Sequence, residues 1–475
     1  MKSHASIVTA SALVLSACAA GPDYAPPAPP LSTHYDVAAE SRAGIAFGEK
    51  AGGDWWAVFQ SAKLDGVMRR AIAGNLDLAA ADATIGQASE AVASARGGLS
   101  PQLDYGTGLG RQRSDSPPAP GAANFYAVGA QVSFDPDIFG GTHRAIEQQQ
   151  AFAEFQRRRF EAAYLTLTGD VASQAILLAS ARAQIDAVQS LLADDRRTLE
   201  LVRGAHLAGS VTQVDVSLAE TQLAQDETLL PPLALQREVA RHALSILAGT
   251  GPADWAAPDF DLADLVLPSS QPVSLPADLA HDRPDILEAE AELHAASAAV
   301  GVATANLYPR LTLSASFTQA ASNPGSLLEP GGVFWGIAAG LAGPVFHGGS
   351  LEADRRGAAD AYTASLARYR QTVVRSFGQV ADLLQAIDHH AEERAAQQRA
   401  LASAEVSLKV NRGGYRGGEI GVLQVLDAQR AYQRALLGEI RVKTAQYLDT
   451  AELSVALGGN SVGASPQTAS LGELK

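Results

Sequence analysis

The sequence predicts a mainly α protein with a small β part. Long antiparallel helices pack against one another as coiled coils, and four strands per chain are too few to close a sheet. Three observations predict this class. Apolar residues recur every seven positions over long stretches, two pairs of strictly alternating segments stand ahead of those stretches, and the whole order of features occurs twice.

The chain has 475 residues, 47% of them hydrophobic, which is enough for one large core or several. Acidic residues outnumber basic ones by 51 to 36, and the resulting charge of −15 excludes a nucleic-acid partner, which requires a basic surface. Residues 1–17 read as an export signal, with Lys2 in a short n-region, an apolar stretch from Ala5 to Leu15, and small residues before Cys18. Cys18 is the only cysteine, so neither an intrachain disulfide nor a cysteine-rich metal site can form. The run Leu15-Ser16-Ala17-Cys18 resembles a bacterial lipobox, which implies cleavage before Cys18 and a covalent lipid there. Acyl chains contribute about 0.8 kcal/mol per buried CH₂, so a multiply acylated Cys18 holds a chain at a membrane without a spanning helix. By the lipoprotein sorting rule, Ala20 in place of an aspartate implies outer-membrane sorting. Residues 18–53 form the lipidated, proline-rich extended segment, with Pro22, Pro26, Pro27, Pro29 and Pro30 close together.

A constant shift of 208 lays residues 75–103 on residues 283–311 with 11 of 29 positions identical. Many of those identities are alanines, so the order of features carries the argument. The same shift pairs Gly140-Gly141 with Gly348-Gly349, and a shift of 209 pairs Gly209 with Gly418 and Val216 with Val425. Residues 54–248 are therefore a first structural repeat, 249–282 a proline-rich equatorial connector, 283–458 a second repeat and 459–475 a polar tail.

Each repeat reads helix, strand, strand, long helix, glycine turn, helix. Asp282 is placed to cap a helix whose first turn holds Pro284, Asp285 and Glu288, and that helix stops near Tyr308-Pro309. Beyond it, Leu311, Leu313, Ala315 and Phe317 alternate with Thr312, Ser314, Ser316 and Thr318, the period of a strand with one greasy face. Its partner runs from Phe334 to Leu341, and the first repeat matches with Leu103 to Leu109 and Tyr126 to Phe134. Apolar residues seven apart follow: Val171, Leu178, Ile185, Leu192 and Leu199, then Leu366, Val373, Val380 and Ile387, resuming at Leu401 and Leu408. A continuous helix from Gly141 to Gly204 reaches roughly 95 Å at about 1.5 Å per residue.

No stretch after Cys18 is expected to supply the roughly 18 apolar residues of a spanning helix, so any membrane crossing falls to the strands. A sheet in lipid must close, and known bacterial barrels begin at about eight strands. Four per chain must be shared between subunits. Two chains give an interior filled by side chains, and three give twelve strands with a usable lumen, so geometry favours three.

Trp55-Trp56-Ala57-Val58-Phe59, Asn75-Leu76-Asp77-Leu78, Arg283-Pro284-Asp285-Ile286, Asn306-Leu307-Tyr308-Pro309 and Leu426-Asp427-Ala428-Gln429-Arg430 stand in this order, with Gly21-Pro22-Asp23-Tyr24 after Cys18. Together they resemble the outer membrane efflux proteins of the TolC family, in its lipidated OprM/NodT-like branch. The resemblance implies a homotrimer in which a twelve-stranded β-barrel stands on an α-helical barrel. Its implied partners are a periplasmic membrane-fusion adaptor, an inner-membrane RND-type pump and outer-membrane lipid. It also implies passive conduction of small molecules from that pump to the cell exterior.

By the same resemblance Asp427 lines the entrance aperture, with Gln424 where some relatives carry a second acid. Asp215 and Tyr415 match a link that holds the entrance shut. Gly204, Gly209, Gly413 and Gly418 mark the helix-hairpin tips, read as positive-φ turn residues and as places for adaptor contact. Catalytic and metal residues are not expected, and the only prosthetic group is the lipid on Cys18. Gly106-Thr107-Gly108-Leu109-Gly110 lies in a strand and is followed by Ser116-Pro117-Pro118, so it is no nucleotide loop. His389 and His390 are adjacent on a helix, about 100° apart, and are read as solvated. Two rival readings keep most of these features: the outlet of a type I protein secretion system, and a non-conducting periplasmic coiled-coil scaffold.

Overall fold

The computed structural model describes residues 20–28, 32–36, 44–49, 54–114, 121–327, 329 and 331–459. The signal segment, Cys18 and residues 460–475 lie outside them. The chain forms two compact units, one of Met1–Ala28, Ala83–Arg158 and Leu287–Gln371, the other of Pro29–Asp82, Arg159–Ile286 and Thr372–Lys475. Each unit draws on both repeats.

The short strand β1 (Ile45–Phe47) pairs in parallel with Gln271–Val273 of the connector. A 3₁₀ stretch over Trp55–Phe59 follows, and it explains the Trp-Trp motif. Trp55 and Trp56 meet edge to face, Trp55 Nε1 donates to Thr168 Oγ1 at 3.1 Å, and Phe59 is fully buried against Tyr447. Helix α1 (Ala62–Gly74) begins at Ser61, whose hydroxyl accepts from Leu64 N, and gives way to α2 (Leu76–Gly97) at Asn75. Asn75 serves both helices: its N–H bonds to Ala71 O, its Oδ1 accepts from Leu78 N at 2.9 Å, and its amide donates to Leu247 O at 3.0 Å.

Strands β2 (Gln102–Ser114) and β3 (Gly121–Phe134) precede α3 (Gly141–Leu207), a single helix of 67 residues. Helices α4 (Gln213–Glu227) and α5 (Leu230–Leu247) complete the first repeat. The connector contains β4 (Gln271–Val273) and the short α6 (Pro276–Asp282). The second repeat holds α7 (Pro284–Ala305), β5 (Arg310–Ala321), β6 (Val333–Ala342), α8 (Ser350–Arg416) and α9 (Val422–Ala456). Helices α2 and α7 are both 22 residues long and start at Leu76 and Pro284; α3 and α8 are both 67 long and start at Gly141 and Ser350. The repeat is thus visible in the elements themselves.

The heptad residues occupy the cores that the period demands. Val171, Leu178, Ile185, Leu192 and Leu199 of α3 are all buried, as are Val373, Val380 and Leu408 of α8, with Leu366, Ile387 and Leu401 half-buried.

Three expectations about these elements are corrected. Asp282 is the last residue of α6, one position ahead of the residue that precedes α7. The junction belongs instead to Arg283, which pairs with Asp285 at 2.8 Å and donates to Ala456 O and Gln379 Oε1, each at 2.7 Å. One 18-residue window of α3 does reach the length and mean hydropathy, 1.2, of a spanning segment; 44% of it is buried inside the molecule, and α3 carries fully buried Val171, Ala175, Ile176 and Leu178. Its apolarity serves a core. Finally, His390 is only partly solvated: its side chain is 33% exposed and its Nδ1 lies 2.6 Å from Asp449 Oδ2, whose pKa burial pushes up against the pull of His390. His389 is exposed, 3.7 Å from Glu392.

Candidate functional site

The sheet order is β2-β3-β5-β6, antiparallel throughout, and its register sorts the side chains onto two faces. Residues opposite one another in an antiparallel pair share a face. Leu103 therefore stands in line with Val132, Ala315 and Ile337, and Tyr105 with Ala130, Phe317 and Trp335. The other face carries Gln131, Ser316 and Gly336 in one row and Gly106, Gly129, Thr318 and Phe334 in the next. One face is thus greasy across all four strands, and the other is small and polar apart from aromatic residues such as Phe334.

The greasy face is not a core. Ile337 is 79% exposed, Trp335 74% and Leu103 71%. Among the described residues the outer strands β2 and β6 each pair on one side only. A sheet with an apolar outside, a small and mainly polar inside and two unsatisfied edges is suited to a closed barrel in lipid, completed by other copies.

The segment behind Cys18 is fixed in the same unit. Arg144 of α3 is buried, pairs with Asp23 at 2.7 Å and Glu147 at 2.6 Å, and donates to Ala20 O at 3.2 Å. Tyr24 stacks on His294 with ring centres 4.2 Å apart, and Gly21, at φ +91°, lies against Gly301, where a Cβ would come within 2.5 Å of its Cα. The Gly-Pro-Asp-Tyr run is therefore a fitted strap.

The turns from α3 to α4 and from α8 to α9 are built alike. After α3, Ala208 N, Gly209 N and Ser210 N bond to Gly204 O, His206 O and Ala205 O; after α8, Gly417 N, Gly418 N and Glu419 N bond to Gly413 O, Tyr415 O and Gly414 O. Gly209 and Gly418 both sit at φ +75°. Gly204 and Gly413 differ from expectation: they lie inside α3 and α8, without positive φ and with open space where a Cβ would project. Gly209→Ala and Gly418→Ala should each cost about 1–2 kcal/mol, whereas Gly204→Ala should gain about 0.5–1 kcal/mol. Thermal melting of the purified variants measures both signs.

Asp215 and Thr212 form a reciprocal cap at the start of α4. The Asp215 carboxylate accepts from the Thr212 N–H and hydroxyl, each at 2.8 Å, which holds its pKa below the usual carboxylate range. Tyr415 Oη is buried without a hydrogen-bond partner among the described residues, and burial, aided by the Asp215 charge, pushes its pKa up. The two are near one another but not bonded within one chain. Asp427 is exposed on α9 between buried Leu426 and Ala428 and lies 3.2 Å from Arg430; Gln424 is exposed one turn earlier.

Sequence reasoning missed a buried polar group beside these ends. Asp195 of α3, Gln222 and Asp226 of α4, and Gln429 of α9 are all at most 5% exposed. The signal was present, since Asp195 falls three residues after Leu192 and four before Leu199, a core position of the heptad.

A family model described as "Outer membrane efflux protein" matches residues 67–250 and 275–459, two segments that start 208 residues apart, the offset of the internal repeat. The chain belongs to the outer membrane efflux protein family. Relatives of this efflux protein include the pyoverdine export outer membrane protein OpmQ of Pseudomonas aeruginosa, 29% identical over 417 residues, covering 85% of this chain and 87% of OpmQ. Nodulation protein T of Rhizobium leguminosarum bv. viciae is 27% identical over 473 residues, covering 96% of this chain and 93% of that one. The outer-membrane channel OprN shares the fold, with a TM-score of 0.87 at 24% identity, covering 94% of this chain and all of OprN. The efflux protein is thus a TolC-family outer-membrane channel protein, mostly helical with a small sheet.

Proposed function

We propose that three copies of this efflux protein share one twelve-stranded barrel and passively conduct small molecules to the cell exterior. They would receive cargo from a periplasmic adaptor and an inner-membrane RND-type pump. One observation carries this reading: a four-stranded sheet with a greasy exposed face and two edges paired on one side only. OpmQ, a relative named for pyoverdine export, supports small-molecule cargo over protein. The reading includes a lipid on Cys18 that anchors the chain in the outer membrane, and the fitted strap at Ala20–Tyr24, which begins two residues later, supports it. It excludes catalysis, since the work of transport is left to the pump.

In this proposal the hairpin tips at Gly204–Gly209 and Gly413–Gly418 meet the adaptor, Asp427 and Gln424 face the entrance, and Asp215 with Tyr415 hold it shut across subunits. The unpartnered Tyr415 hydroxyl supports the last point, because a buried donor calls for an acceptor. Purified protein in planar bilayers tests the whole. Discrete conductance steps are expected, small for the wild type and larger for the Asp215→Ala, Tyr415→Phe double variant. Absence of steps from both would leave a scaffold, and equal steps would remove the latch.

A further inference from the structure

The first hairpin buries two acids at positions where its counterpart has alanine. Asp195 of α3 and Asp226 of α4 are 3% and 5% exposed, and the repeat offset of 209 places them on Ala404 of α8 and Ala435 of α9. The second hairpin therefore fills these two positions with alanine, and its one buried acid among the described residues, Asp449, stands elsewhere and is paired with His390.

Buried ionised carboxylates are costly unless something neutralises them. Asp195 Oδ1 accepts from Gln429 Nε2 of α9, but Asp195 Oδ2 is buried with no donor among the described residues. Asp226 accepts from Gln222 Nε2 on its own helix and from Gln433 Nε2 of α9, each at 2.7 Å. The two carboxyls lie within hydrogen-bonding reach of each other, and two acceptors can bond only if one of them carries a proton. The charges around them do not replace that proton. Asp194 of α3 is held by Arg412 of α8 at 2.8 Å, and Arg430 of α9 donates to Gln222 Oε1 and reaches Asp427 at 3.2 Å. Among the described residues no cation forms an ion pair with Asp195 or Asp226.

We propose that Asp195 and Asp226 form a proton-binding site that clamps α4 to α3 and α9, and that loosens this hairpin as the pH rises. Through Gln222 and Arg430 the site is joined to Asp427, so the proposed entrance acid lies on the same hydrogen-bond chain. Only the consequence for conduction rests on the channel reading; the proton site itself does not.

Burial, then the neighbouring Asp226 and Asp194 carboxylates, push the Asp195 pKa up to about 7 against the opposing pull of Arg412. The packed state then holds one proton more than a loosened state, whose carboxyl titrates at the ordinary 3.8. The clamp is complete below that ordinary value, weakens by about tenfold per pH unit as the pH rises toward about 7, and changes no further above it.

The test uses the full-length protein in detergent with two readouts. Infrared spectroscopy follows the protonated-carboxyl band, and hydrogen exchange, corrected for intrinsic rate, follows the α4 amides. In the wild type a carboxyl band should persist well above the ordinary carboxylate range and vanish near neutrality, and α4 opening should rise about tenfold per pH unit up to that point. In Asp226→Asn, whose amide donates to Asp195 in place of the proton, and in the Asp195→Ala, Asp226→Ala double variant, which carries alanine at both positions as the other hairpin does, the part of the band that titrates near neutrality and the slope should both be gone. Three results would overturn the proposal: no carboxyl band above the ordinary range, a slope that survives in both variants, or α4 protection at neutral pH that calcium restores and a chelator removes. The third would make the pair a cation site. None of these outcomes depends on whether the protein conducts.

Discussion

Ile337→Arg is expected to abolish the assembled channel, while Ser316→Arg leaves it standing. Ile337 is mid-strand in β6, in the row with Ala315, Val132 and Leu103 that forms the greasy face. Arginine on the lipid face near the midplane costs about 2–4 kcal/mol in a transmembrane barrel, and a symmetric assembly repeats that cost in each subunit. Ser316 pairs with Gly336 on the opposite face, which in the proposed barrel is the water-filled side, where a charge is tolerated. Gel mobility of unheated outer-membrane extracts reads the difference. Loss of both assemblies, or of neither, would contradict the assignment of faces.

Asp427→Lys is expected to lower cation-over-anion permeability several-fold and to reverse the preference where the entrance limits flow. The carboxylate is exposed on α9 with its flanking residues buried, so its side chain is directed away from the packing core. A ring of such acids favours cations through Coulomb attraction at close range. The neighbouring Gln424 contributes no charge, so the proposed ring holds one acid per subunit at this level. Arg430 tempers the effect, because it lies within ion-pair distance and shares the carboxylate. Reversal potentials under a salt gradient measure the ratio, and an unchanged potential would remove Asp427 from the conduction path.

Much of the fold was legible because periodicity is a local property. The heptad series from Val171 to Leu199 reported buried positions along α3, and the alternation from Leu311 to Thr318 reported the two faces of β5. The internal repeat doubled each signal, so that one half corroborated the other.

What escaped was decided by junctions and by tertiary context. Asp282 has the chemistry of an N-cap, but Pro276 and Asp278 start a short helix ahead of it, so the residue that joins α6 to α7 is Arg283. Gly204 and Gly413 read as turn glycines from composition, yet the helix continues three residues past each, and only Gly209 and Gly418 need the left-handed conformation. His390 looked solvated because its partner, Asp449, is distant in sequence. Asp195 could have been found as an acid at a heptad core position, but its pairing with Asp226 depends on how α4 returns along α3, which no local pattern encodes.

Four strands, among the described residues, are too little sheet for one chain to close by itself. Native mass spectrometry of the protein released from outer membranes in mild detergent tests this most directly. A single assembly of three chains is expected, where the full sequence weighs 49.3 kDa per chain. A stable monomer or dimer in the same extract would contradict it.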